Sequence, residues 1–155
     1  MGPREGDRAP DFTLEGVPEG RYSLAEQRGK VVVLAFYPGD FTPVCTRQLR
    51  SYEAERQKLV ATGATLWAIS TDTLEKHERM AKSYALSFPL LADPGAKIAQ
   101  AYGVRSLLGS ARRSVFIIDR DGIIRWSFVS PVGINPGADG ILNALEALQM
   151  KESVR

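Results

Sequence analysis

The chain's one cysteine, Cys45, stands three residues after Thr42 in the stretch YPGDFTPVCTRQL, Tyr37 to Leu49. Thr42 fits a helix N-cap and Pro43 the first helical position. That reading puts Cys45 in the first turn, where unpaired N–H groups and the positive end of the helix dipole favour an anion. The thiolate is the nucleophilic form of cysteine, and helix N-termini favour it. Elsewhere a free cysteine usually behaves as a small buried hydrophobe; a capped first turn after a strand argues for reactivity. At pH 7 a thiol of pKa ~8.5 is already roughly 3% ionised, so full ionisation adds only about 30-fold. A specialised enzyme must also stabilise the transition state. Thr42, one turn earlier, could set its hydroxyl beside the sulfur, and an arginine from elsewhere could supply a forked pair of donors.

Other chemistries lack their residues. A single cysteine forms no intrachain disulfide, and the residue three beyond it is Gln48, so there is no C-x-x-C. His77 is the only histidine, which leaves no zinc-spaced set. Lying between Lys76 and Glu78, it is expected to be a solvated helix residue. No metal and no cofactor is expected. The net charge of +2 is interspersed along the chain and marks no basic stripe, so nucleic acid is not expected as a partner.

The elements that must position Cys45 can be read from periodicity. VVVLAFY, Val31 to Tyr37, is a continuous β-branched and aromatic run suited to a strand buried on both faces. After the turn PGDF, the helix opened by Thr42 carries Leu49, Tyr52, Arg56 and Leu59 along one stripe and ends at Gly63. ATLWAIS reads as a second buried strand. STDTLEKHERMAKSYAL reads as a helix in which Asp72 and Glu75 make a capping-box-like start. FPLLADPGAKIAQAYGV holds a short strand and a short helix, with Asp93 and Pro94 at the helix start and Gly103 at its end. SVFIID and IIRWSFV flank the hairpin signal RDG, and Ile141, Leu142, Leu145 and Leu148 give the last segment one apolar face. GDRAPDFTLEG is expected as an extended arm and RYSLAEQRGK as a polar connection. This order predicts an α/β, thioredoxin-like fold: a mixed central β-sheet with helices on both sides. With no repeat or linker, residues 1–155 are expected to form a single domain.

Pro38, Thr42 and Cys45 match P-x-x-x-T-x-x-C, and the chain thereby resembles the peroxiredoxins. GDRAPDFTL is similar to that family's N-terminal arm, GKVVVLAFYPGDFTPVCT to its first strand and active-site helix, and RRSVFIIDRDGIIRW to its later hairpin. The resemblance implies that Cys45 attacks a peroxide, with Thr42 bonding sulfur and peroxide and Pro38 shielding the pocket. It also implies an arginine just before the FIID strand. Both Arg112 and Arg113 stand there, and the family's usual spacing of three residues before phenylalanine selects Arg113. Gln48 matches a polar residue of the PrxQ subgroup, and the N–H groups of Val44 and Cys45 would meet the peroxide oxygens.

Many PrxQ (bacterioferritin comigratory) proteins carry a resolving cysteine five residues after the first, where this chain has Arg50. The chain therefore looks like a one-cysteine enzyme, similar to the compact AhpE-like or PrxQ-like type, whose sulfenic acid is resolved by an external thiol. Glutathione, another low-molecular-weight thiol, thioredoxin and glutaredoxin-like proteins all fit as that reductant. Hydrogen peroxide, organic hydroperoxides and peroxynitrite all fit as substrate. The alternative is a peroxide sensor or redox relay that passes oxidation to a partner protein. The resemblance also implies a homodimer, with Phe41, Trp126 and Phe128 available to an interface or a core. The N-terminus MGPREGDRAPDF carries no apolar leader and no run approaches a membrane span, so a cytoplasmic setting that keeps a free thiol reduced is expected.

Overall fold

β3 (Val32–Phe36) is buried along its whole length because the strand is sandwiched between two apolar layers. Val33 and Ala35 face one layer, while Val32, Leu34 and Phe36 face the other, as the two-residue period of a strand requires. The computed structural model describes residues 2–130 and 137–154, the last two by backbone alone. Among these residues the strands are β1 (Thr13–Val17), β2 (Gly20–Ser23), β3, β4 (Thr65–Ser70), β5 (Leu90–Ala92), β6 (Ser114–Ile118) and β7 (Ile124–Val129). They form one sheet in the order β2-β1-β5-β4-β3-β6-β7. β3 pairs parallel with β4, and β4 with β5; the other pairings are antiparallel. The sheet is therefore mixed, as expected.

The helices are α1 (Pro43–Ala54), α2 (Arg56–Ala61), α3 (Leu74–Ser83), α4 (Lys97–Ala101) and α5 (Asp139–Val154). α1, α2, α3 and α5 cover one face, where Leu49, Tyr52, Leu59, Met80, Ile141, Leu142 and Leu145 pack on Val33, Ala35, Val115 and Ile117. The N-terminal arm and α4 cover the other, with Phe12, Trp67, Tyr102 and Phe116 at its centre. The arm lies along the β6–β7 turn, its Ala9 N–H donating to the Gly122 carbonyl.

Four local expectations are corrected. RYSLAEQRGK is not all connection: its first residues belong to β2, which pairs with β1 and turns through a 3₁₀ segment, Ala25–Gln27. The pairing of β2 with β1 overrides its polar composition. The helix after Cys45 breaks at Glu55, whose φ/ψ of −102°/14° leaves the α-helical region, so α1 and α2 are separate. α3 is capped by Thr73, whose hydroxyl accepts from the Lys76 N–H at 3.2 Å; Asp72 lies outside the helix. The helix expected from Asp93 begins with a 3₁₀ turn, Pro94–Ala96, and α4 follows, its first N–H groups at Ile98 and Ala99 donating to the Asp93 carboxylate. Part of the closing segment, residues 131–136, lies outside the described residues.

Candidate active site

β3 delivers the chain to Tyr37 and the Pro38–Thr42 loop, and α1 starts immediately beyond. Thr42 has the extended backbone of an N-cap (φ/ψ −77°/147°), and Pro43 opens the helix. The first helical hydrogen bond runs from the Thr46 N–H to the Thr42 carbonyl at 2.8 Å. The N–H groups of Val44 and Cys45 thus precede the intrahelical ladder, at the positive end of α1. Cys45 is 1% exposed, packed with Leu49 and Tyr52 beneath it, while Val44 and Pro38 are half-buried.

The sulfur's neighbour is Arg113. Its Nη2 donates to Cys45 Sγ at 2.9 Å, and its Nε donates to Gln48 Oε1 at 2.8 Å. Gln48 is one turn after Cys45 on the same helix face; its Nε2 donates to the Tyr52 hydroxyl at 2.7 Å. Arg113 is 6% exposed and anchored before β6, where strand alternation turns the neighbouring Arg112 outward. Burial pushes the Tyr52 phenol up to about 12, against the lowering effects of the Gln48 hydrogen bond and the Arg113 charge. Tyr52 is therefore a neutral wall beside the guanidinium. A thiolate accepts a guanidinium N–H more strongly than a thiol does.

Thr42 departs from the expected arrangement. Its hydroxyl makes no capping bond and donates instead to the Gly39 carbonyl at 3.1 Å. With its proton engaged there, the oxygen keeps its lone pairs as acceptors.

His77 is a correction. The side chain expected in solvent is 0% exposed. Its Nδ1 lies 2.7 Å from Asp40 Oδ2 and 3.3 Å from the Tyr37 hydroxyl, and its Nε2 lies 3.0 Å from the Leu91 carbonyl. The Tyr37 hydroxyl donates to Asp40 Oδ1 at 2.6 Å, and the Asp40 backbone N–H donates to Asp72 Oδ2 at 2.6 Å. Burial, then the Asp40 charge, pushes the Tyr37 phenol well above its ordinary value. Burial alone would raise Asp72, but hydrogen bonds from the Asp40 N–H, Ser70 and Lys76 outweigh it and hold the carboxyl below its usual range. The flanking Lys76 and Glu78 hid His77, yet it lies three and four residues before Met80 and Ala81, on the stripe that continues to Tyr84. That helical spacing was the available signal.

Asp40, Asp72 and His77 bring one ligand atom each to within 4.8 Å of one another, the arrangement a metal ion would need. Their atoms are already engaged: both His77 nitrogens face protein oxygens, and Asp72 takes Ser70 and Lys76 as well as the Asp40 N–H. The hydrogen bonds satisfy the cluster internally.

Residues 5–127 match the AhpC/TSA family model. The chain belongs to the AhpC/TSA family. Within it, the chain is 36% identical over 148 residues to "Peroxiredoxin Q, chloroplastic" of Sedum lineare, covering 94% of this chain and 79% of that protein. It is 33% identical to "Peroxiredoxin 2" of Thermoplasma acidophilum, covering 93% and 75%. Among solved structures, peroxidoxin BcpB from Mycobacterium tuberculosis superposes with a TM-score of 0.85 at 30% identity, over 93% of this chain and 97% of that one. AhpC from Enterococcus faecalis superposes with a TM-score of 0.89 at 27% identity, over 96% and 94%. The fold is thus that of the thioredoxin-like peroxiredoxins, and the chain is a peroxiredoxin of the PrxQ type, a thiol-dependent peroxidase. Among the described residues no helix is long and apolar enough to cross a membrane.

Proposed function

We propose that Cys45 is the peroxidatic nucleophile of a one-cysteine thiol peroxidase. The carrying observation is the 2.9 Å contact from Arg113 Nη2 to a buried sulfur in the first turn of α1. The Cys45 thiolate attacks the terminal peroxide oxygen: an S–O bond forms, the O–O bond breaks, and the leaving oxygen departs as water or alcohol after taking a proton. Charge moves from sulfur to that oxygen in the transition state. Arg113 and the N–H groups of Val44 and Cys45 are donors held in place for both ends of that shift, while the Thr42 oxygen accepts from the peroxide. Pro38 restricts solvent entry. Gln48 acts through Arg113, as a positioning residue.

With one cysteine in the sequence, the sulfenic acid condenses with an external thiol, releasing water, and a second thiol reduces the mixed disulfide. A homodimer belongs to the same reading. Leu107 and Leu108 are fully exposed, at 107% and 96%, on the loop that leads to Arg113, where a second copy would cover them. A reducing, cytoplasmic setting suits the free thiol.

The test mixes pre-reduced protein with one equivalent of hydrogen peroxide and follows intrinsic fluorescence and intact mass, with Cys45→Ser alongside. Oxidation well beyond the about 30-fold that ionisation explains is expected; a rate within it would refute a preorganised peroxide site. Multiple turnover with a small thiol is expected next, and a stable mixed disulfide with one protein instead would favour the relay. Sedimentation of wild type and Leu107→Asp tests the dimer, which the substitution should weaken.

A further inference from the structure

Asp40 occupies the centre of the Pro38–Thr42 loop and is held on three sides. Its backbone N–H is bound by Asp72, two residues past β4, and its carboxylate by Tyr37, just past β3, and His77 from α3. The next residue, Phe41, sits at φ 65°, a left-handed conformation that costs a non-glycine residue energy and persists only where its surroundings over-determine it. α1 begins two residues further on, at Pro43, and carries Cys45 in its first turn. His77 Nε2 faces a carbonyl, which only accepts, so that nitrogen carries a proton. Nδ1 faces a carboxylate at 2.7 Å, and that contact needs a second proton between the two groups. The result is a short hydrogen bond inside the protein, tying α3 to the loop that carries Thr42.

We propose that His77 and Asp40 are a positioning pair: they hold the Pro38–Thr42 loop so that the Thr42 hydroxyl and the first turn of α1 meet the peroxide at the Cys45 sulfur. Neither touches substrate. The inference rests on Cys45 being the peroxidatic residue. Loss of the pair lets Phe41 relax from its left-handed conformation, which shifts the Thr42 oxygen while the sulfur stays beside Arg113.

The experiment compares two reactions of the same thiol. Hydrogen peroxide oxidation, which needs Thr42 in place, is measured by stopped flow; alkylation by iodoacetamide, which does not, is measured by mass. In His77→Phe, with a cooperative melt, peroxide oxidation is expected to fall about ten- to a hundredfold while alkylation stays within about threefold. His77→Gln, which places a donor toward the Leu91 carbonyl, is expected to behave the same and serves if the phenylalanine variant does not fold. His77→Asn, whose amide lies where Nδ1 does and can donate to Asp40, is expected to recover most of the peroxide rate. Unchanged oxidation in His77→Phe and His77→Gln would overturn the inference, as would a parallel fall in both reactions or an asparagine variant no better than glutamine. A wild-type protein no faster than a free thiol would overturn the proposed function and this inference together. Fast wild type with equally fast variants overturns this inference alone.

Discussion

The cluster around Cys45 and the cluster around His77 both lie beyond the end of β3, both are buried, and both join residues far apart in sequence. They differ in how their polar atoms are used. In the His77 cluster each donor meets a protein acceptor: the imidazole spans Asp40 and the Leu91 carbonyl, and Asp72 takes an N–H, a hydroxyl and an ammonium. In the Cys45 cluster the chain of bonds from Tyr52 through Gln48 to Arg113 ends on a sulfur, which accepts a hydrogen bond and can also form a covalent one. A closed network fixes geometry, and an open-ended one can react.

Variants sharpen that contrast. Cys45→Ser has the largest expected effect, removing fast peroxide reduction altogether in a coupled peroxidase assay while leaving the melt close to wild type. Arg113→Met should lower the rate of sulfur oxidation by about 10²- to 10³-fold, the usual consequence of losing a preorganised charged donor. Arg113→Lys keeps the charge but not the fork that spans sulfur and Gln48, and should fall between Arg113→Met and wild type in the same stopped-flow measurement. Gln48→Leu should cost less, about tenfold, because the guanidinium retains its contact with sulfur and loses only its guide; an effect as large as that of Arg113→Met would show that Gln48 meets the substrate itself.

The smallest effect is expected at Asp72. Asp72 is held below its usual range, so its ionised form contributes stability that is fully present above the unfolded value of ~3.9. That contribution is lost as pH falls through the lowered folded value. Asp72→Asn should therefore flatten the acid limb of stability, measured as urea midpoints between about pH 2 and pH 5. An unchanged acid limb would mean that Asp72 is not the carboxylate setting it.

The strands around the site were legible because each carries its own period. Val31 to Tyr37, Thr65 to Ser70 and the hairpin about Arg120–Gly122 combine continuous apolar or alternating patterns with a turn signal, and each formed close to the residues read. β2 was not legible because its short, mostly polar and half-exposed run GRYS becomes a strand only by pairing with β1. The break at Glu55 carries neither proline nor glycine, so no local signal marks it.

By itself the sequence determined which atom can react and what surrounds it along the chain: one thiol, three residues past a threonine, one turn into a helix that proline starts. These are local matters, set by spacing and capping. The tertiary structure decided which arginine reaches the sulfur, since Arg112 and Arg113 are the same residue type and only the side of the chain facing the cluster separates them. It decided that the Thr42 hydroxyl turns to Gly39 and leaves the cap unmade. It decided that His77, between two charged neighbours, is buried against an aspartate 37 positions away. Long-range partners of that kind leave no periodicity in the chain, because a hydrogen bond depends on where two atoms meet in space and on no rule of local spacing.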